Sequence, residues 1–234
     1  MEAAGRTFGR AGVNFTSVLR LWELDQSIFR YFHVDARSAL LDPVFFVLST
    51  SGLGWVQAAT ILLTSWVLRA KAAKETASIG WLAAFGRGLH NIRRKDWAPW
   101  SGPLLSVYLV SGVVNSGLVK EILPRDRPSQ FAWADPAEGF FYRAFPSGHT
   151  ATAFAMAWLI FLKTRGTSLA KWGWWALIWA LGVGLSRIYR GVHWPSDVVG
   201  GAAVGIACAS AIYLLIEWVS RRDRRDARPK LAVR

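Results

Sequence analysis

At 234 residues the chain has the length of one domain, and 53% of it is hydrophobic, with 14 tryptophans. That apolar share is high for a soluble domain and modest for a chain made only of membrane spans, so several spanning helices joined by sizeable polar loops fit it best. The formal net charge of +13 suits nucleic acid or an anionic membrane, and its placement decides for the membrane. Arg93, Arg94 and Lys95 precede one apolar run and Arg221, Arg222, Arg224 and Arg225 follow another, while no basic face interleaved with polar recognition residues is present.

The elements follow in chain order. Residues 15–34 mix Val18, Leu21, Trp22, Ile28, Phe29 and Phe32 with Arg20, Glu23, Asp25 and Arg30, which predicts an amphipathic helix lying in the membrane interface rather than crossing it. A bilayer core asks for about 20 mostly apolar residues per helix. Runs at 55–68 (extended upstream by 44–48), 103–123, 149–162, 169–188 and 198–219 meet or approach that length. The third is short, so Lys163 and Arg165 must snorkel at its end. Trp97, Trp100, Trp172, Trp174, Trp175 and Trp218 stand at run ends, where an aromatic belt belongs. Residues 79–85 are apolar but too short to cross, and the basic stretch after Ser220 reads as a disordered tail. Gly201 and Gly205, four apart in the last run, predict close helix packing, and Asn115 within the second predicts an interhelical hydrogen bond. The single cysteine, Cys208, excludes an intrachain disulfide, and no cleavable signal peptide is expected.

The expected fold is therefore all-α: a polytopic membrane helical bundle of five or six transmembrane helices with N-terminal interfacial helices. Residues 1–40 form the interfacial segment, 41–219 the membrane-embedded domain and 220–234 a basic cytoplasmic tail. Lysine and arginine crowd the 69–95 and 163–171 connections and the C-terminal tail, which places those segments inside and the 121–147 and 187–197 loops outside. With five spans the N-terminal arm also lies outside. Its Arg6, Arg10, Arg20, Arg30 and Arg37 suit that side poorly, so the count stays at five or six.

Three clusters fall at the outward ends. They are Lys120-x6-Arg127-Pro128, Pro146-Ser147-Gly148-His149 and Ser186-Arg187-x5-His193-x3-Asp197. Taken singly, Lys120 is a snorkelling anchor, Ser147 a helix N-cap and His193 with Asp197 a surface pair. Together they bring two imidazoles, a carboxylate, three cations and a hydroxyl to one membrane face, a costly convergence that points to a site. Arginine and lysine suit a phosphoryl group. Pro124 should end the second span and leave Arg125, Asp126 and Arg127 in a loop over an anion. Ser147 as N-cap would aim the Gly148 and His149 amides at that anion. With Pro195 in the first turn of the last span, Asp197 can accept from one nitrogen of His193 and leave the other as a nucleophile. His149 is then the general acid.

These three clusters, in this order and spacing, resemble the signature of the type 2 phosphatidic acid phosphatase superfamily, which also holds vanadium haloperoxidases and glucose-6-phosphatase. The resemblance runs over roughly residues 100–219. It implies a metal-independent phosphoric ester or diphosphate hydrolase working through a phosphohistidine, with no cofactor. His193 would be the nucleophile, Asp197 its orienting partner and His149 the acid–base group, with Lys120, Arg127, Ser147, Gly148 and Arg187 holding phosphate and its pentacoordinate transition state. Arg125, Arg143 and Arg190, beyond the signature, are candidates for a second phosphate or a lipid headgroup, or are solvent-facing arginines beside anionic lipid. A lipid phosphate is the expected partner because Phe140, Phe141, Phe145 and Trp194 stand beside the site at the membrane surface. Polyprenyl diphosphate, phosphatidylglycerol phosphate, phosphatidate and a lipid A phosphate are the candidates, with weak preference for a diphosphate. A soluble phosphomonoester or vanadate-dependent halide oxidation are the alternatives. The expected location is a bacterial inner or plasma membrane, with the site extracytoplasmic.

Overall fold

The computed structural model describes residues 15–77, 100–131, 133–138 and 143–226. Seven principal helices carry this part, and no strand occurs among the described residues. Helix α1 (Phe15–Arg30) runs into a π-helical turn, Tyr31–Asp35. It is followed by α2 (Leu41–Ser51) and α3 (Gly54–Ala77). Next come α4 (Ser101–Ile122), α5 (Gly148–Thr164), α6 (Ala170–Tyr189) and α7 (Pro195–Asp226). Helices α4 and α7 are long and apolar enough to cross a membrane, with 22 residues and 28 residues (Pro195–Arg222). Helix α2 and residues 54–67 of α3 pass together as one span bent by 66°. The chain is an all-helical membrane bundle.

The short run at 149–162 becomes α5, the centre of the bundle. Its alanines Ala151, Ala153, Ala155 and Ala157 are fully buried, and it packs against α3, α4, α6 and α7. Small side chains let a neighbour's backbone approach. A Cβ on Gly201 of α7 would lie 2.5 Å from the Ser147 carbonyl oxygen, and one on Gly205 would collide with the Ala151 carbonyl. Leu62, Leu63, Trp66, Leu109, Val113 and Leu214 face outward, as a lipid-facing girdle requires.

Helices α4 to α7 alternate in direction, so the C-termini of α4 and α6 and the N-termini of α5 and α7 meet at one end. At the opposite end the Lys163 ammonium lies 5.0 Å from the Trp100 ring centre, and Lys171 and Arg222 rest over Trp172 and Trp218. Trp172, Trp174, Trp175 and Trp218 are exposed there.

Three features depart from the sequence reading. The first apolar run is broken at Gly52–Leu53, where α2 ends. The basic stretch after Ser220 continues α7 to Asp226 instead of fraying, helped by the Arg221–Glu217 pair at 3.8 Å, one turn apart. Trp194, expected at the lipid surface, is fully buried among Trp22, Phe29, Phe131 and Trp133, because α1 folds over it. The expected interfacial stretch 79–85, the Arg93–Lys95 cluster, Trp97, Phe140, Phe141 and the last eight residues lie outside the described residues.

Candidate active site

Each cluster reaches the site through the end of an element. The helix of α4 loosens into a π-helical stretch, Val114–Val119, immediately before Lys120. Asn115, fully buried there, donates to the Pro146 carbonyl at 3.3 Å and so ties α4 to the loop that carries Ser147. Lys120 follows, 7% exposed, and the chain leaves helical geometry at Leu123, just before Pro124. Arg127, 5% exposed, donates from Nη1 to the Val192 carbonyl at 2.9 Å and lies 3.3 Å from Nε2 of His193.

Ser147 sits at the N-cap position of α5 in extended geometry, but its hydroxyl does not cap the helix. Its Oγ accepts from the Thr150 hydroxyl at 3.0 Å, and its backbone N–H donates to the Asp197 carbonyl at 2.9 Å. The amides of the first turn of α5 have no carbonyl within the helix to bond, which suits an anion. His149 stands in that turn, and its Nε2 is buried with no hydrogen-bond partner among the described residues.

His193 lies in the short turn between α6 and α7 and is 2% exposed. Its Nδ1 lies 3.3 Å from Oδ2 of Asp197, one turn into α7, and the same oxygen accepts the Trp194 N–H at 2.9 Å. The ring therefore presents Nε2 toward Arg127. Burial, then the charges of Arg127, Arg187 and Lys120, push the imidazole well below its ordinary value near 6.5, so it is neutral at pH 7. Burial and the neighbouring Arg187 lower Arg127 to about 10, which leaves it cationic.

Arg187, 1% exposed near the end of α6, donates through both terminal nitrogens to the Glu138 carboxylate at 3.2 and 3.0 Å, and to the Ser49 hydroxyl. Glu138 also accepts Nε of Arg190 at 2.6 Å. Burial pushes its carboxyl up, but Arg187 and Arg190 outweigh that and hold it at about 2. Sequence reasoning missed Glu138 and Ser49. No spacing links either to the clusters, and Glu138 is one of four carboxylates in the 121–147 loop, with Glu121, Asp126 and Asp135, so nothing in the sequence singles it out.

The three extra arginines differ in their partners. Arg143 donates to the Lys120 and Glu121 carbonyls, both at 3.1 Å, and to the Glu121 carboxylate at 2.6 Å, closing the C-terminus of α4. Arg190 lies 5.2 Å from the Phe46 ring centre and lines an outward cleft of about 320 Å³ with Arg37, Asp42 and Tyr189. Arg125 faces two carboxylates, Asp25 at 2.6 Å and Asp197 at 3.0 Å. Among the described residues, no group of three or more His, Cys, Asp or Glu side chains comes close enough to hold a metal ion.

Residues 100–221, which carry every one of these clusters, match the model of the PAP2 superfamily. The chain belongs to the PAP2 superfamily. It is 30% identical over 213 residues to phosphatidylglycerophosphatase B of Escherichia coli K12, covering 80% of this chain and 78% of that protein. A lipid A 1-phosphatase of Porphyromonas gingivalis is 36% identical over 138 residues, covering 57% of this chain; the match spans only 27% of that longer relative. The crystal structure of Aquifex aeolicus LpxE aligns with a TM-score of 0.59 at 25% identity, over 81% of this chain and 94% of that one. A Bacillus subtilis transmembrane PAP2 type phosphatidylglycerolphosphate phosphatase aligns with a TM-score of 0.62 at 23% identity, over 86% and 88%, and so shares the fold. Helices α1 to α3 precede the part of this PAP2 protein that the family model matches.

Proposed function

We propose that this PAP2 protein is a membrane phosphatase that removes phosphate from a lipid phosphate or diphosphate ester through a phosphohistidine on His193. One observation carries the reading: a buried, neutral imidazole with a carboxylate on Nδ1 and an arginine at Nε2, at the mouth of a helix N-terminus. Nε2 attacks phosphorus as the bond to the leaving oxygen breaks, and His149 gives that oxygen its proton. Water then attacks the phosphohistidine, surrendering its proton to His149, and inorganic phosphate leaves with both imidazoles restored. Asp197 stabilises the imidazolium formed in the first step. Lys120, Arg127, Arg187 and the Ser147–Gly148 turn hold the equatorial oxygens, where charge builds in the transition state.

The entering phosphate competes with Glu138 for the paired N–H groups of Arg187. A bidentate arginine site serves a carboxylate or a phosphate with the same geometry. The substrate class is a lipid, since the site lies at the end of a membrane bundle and the relatives' names include lipid A 1-phosphatase and phosphatidylglycerophosphatase B. Phosphate release in mixed micelles tests it across phosphatidate, phosphatidylglycerol phosphate, a polyprenyl diphosphate and lipid A. Hydrolysis of at least one lipid well above water-soluble esters is expected, and equal or better turnover of soluble esters would overturn the lipid assignment.

The site opens on the extracytoplasmic side, because Lys163, Arg165, Lys171 and the Arg221–Arg225 stretch share the other end. In a Cys208→Ala background, Gln130→Cys should react with a membrane-impermeant thiol reagent in intact cells and Ser168→Cys only after lysis. The reverse pattern would overturn this sidedness.

A further inference from the structure

We infer that Asp25, on the helix preceding the family-matched region, is a positioning residue for the nucleophile, acting through Arg125 and Ser196 on the carboxylate that orients His193. The inference rests on the reading of His193 as the nucleophile.

The contacts form a chain of alternating charge. Asp25 Oδ2 accepts Nη2 of Arg125 at 2.6 Å and the Ser196 hydroxyl at 2.6 Å, while its Oδ1 accepts the Ser196 backbone N–H at 2.8 Å. Arg125 Nη1 donates to the Ser196 hydroxyl and, at 3.0 Å, to Oδ1 of Asp197. That is the carboxylate oxygen turned away from His193; the other accepts Trp194 N–H and His193. Asp25 is 6% exposed and Asp197 fully buried. The Arg125 guanidinium lies against the Trp22 and Trp194 rings, 5.1 and 5.5 Å from their centres, and is half-buried there.

Docking α1 does not require this carboxylate. Trp22 and Phe29 already pack on Trp194, each with ring centres 5.0 Å away. A buried charge is costly unless paired, so an ion used only as an anchor would be a poor choice beside those rings. A carboxylate supplies what the rings cannot. It holds Nη2 of Arg125 while Asp197 and Ser196 hold Nη1, which fixes the guanidinium, and it shares the guanidinium charge. Facing Asp197 alone, Arg125 would draw electron density from the oxygen pair that polarises His193. Held between two carboxylates, it fixes Asp197 in place and leaves it a strong acceptor for Nδ1–H, as outer partners do for other oriented imidazoles. The remaining groups that act on His193 are Arg127, Lys120 of α4, Arg187 of α6, His149 of α5 and Glu138.

The test compares full-length Asp25→Asn and Arg125→Gln in detergent, with Ser196→Ala as a milder break in the chain should either fold poorly. In Asp25→Asn, kcat should fall about tenfold or more with KM within about twofold. Ser196→Ala should lose about threefold in kcat. The imidazole titration of His193, followed by ¹⁵N NMR, should move by roughly half a unit or more in opposite directions. It goes down when the negative charge of Asp25 is lost and up when the positive charge of Arg125 is lost. A structural role alone would not reverse the sign. Wild-type kcat in Asp25→Asn, or titrations that stay put or move together, would overturn the inference. The NMR readout needs no turnover, so it decides on the chain of contacts even if the wild-type protein were to hydrolyse no lipid phosphate.

Discussion

The two ends of the bundle hold the same cationic side chains in opposite circumstances. At one end Lys171 and Arg222 lie over the exposed Trp172 and Trp218 rings at the bundle rim, and half-buried Lys163 lies over Trp100. At the other, Lys120, Arg127 and Arg187 are withdrawn from solvent, and Arg187 is bound to a carboxylate. A cation over an exposed ring contributes about 0.5–1 kcal/mol and needs no defined partner. A buried one has lost its hydration and demands an anion, so its surroundings are built around negative charge. In this basic membrane protein charge alone does not mark the site; buried cations gathered with buried acids and imidazoles do.

The largest effect is expected at His193. Replacing it with glutamine keeps a polar side chain but removes the nucleophile, and kcat should fall by more than about a thousandfold while the protein still elutes as a folded species. Appreciable turnover by the folded variant would place the chemistry elsewhere. Next in size is Arg187→Lys, which keeps the charge and loses the fork. KM for the lipid phosphate should rise about tenfold with a smaller change in kcat, measured in mixed micelles. An unchanged KM together with an unchanged kcat would separate Arg187 from the phosphate.

Glu138 sharpens the comparison by pH. Its carboxyl is held at about 2 against an ordinary value of 4.5, so its stabilising contribution is complete above about pH 4.5 and lost as pH falls toward about 2. Thermal melts in detergent should show that loss in the wild type and a smaller one in Glu138→Gln. The same variant should lower KM about threefold, because its amide competes more weakly with phosphate for Arg187. A raised KM would mean that Glu138 assists binding instead. His193 adds a second pH effect of the same sign. Its imidazole is neutral when folded well below pH 6.5, so the unfolded chain takes up the extra proton as pH drops and stability falls. The smallest effect belongs to the far end: Lys171→Gln should alter stability by no more than about 0.5 kcal/mol and leave kcat unchanged.

Much of this site was legible because its spacing is helical. His193 and Asp197 stand one turn apart at a proline-marked helix start, Ser147 and His149 open another helix, and Lys120 closes a third. Local rules govern all three. Asp25 and Glu138 were not legible, since their partners Arg125 and Arg187 lie 100 and 49 residues away. Which carboxylate reaches which arginine is decided by how α1 and the outward loop fold over the bundle. The same limit explains Arg125, which the sequence offers as a headgroup contact beside Arg143 and Arg190. Counting apolar residues also could not show the 66° bend that the Gly52-Leu53-Gly54 triplet puts between α2 and α3.

The central claim is a covalent phosphohistidine on His193, and it can be read directly. Wild-type protein mixed with a ³²P-labelled lipid phosphate and quenched in base within milliseconds should carry label on one histidine. Peptide mapping should place it at His193, stable to alkali and released by mild acid, with none in His193→Gln. Label on His149, on a serine or on a carboxylate, or full turnover with no labelled protein at any quench time, would contradict the account.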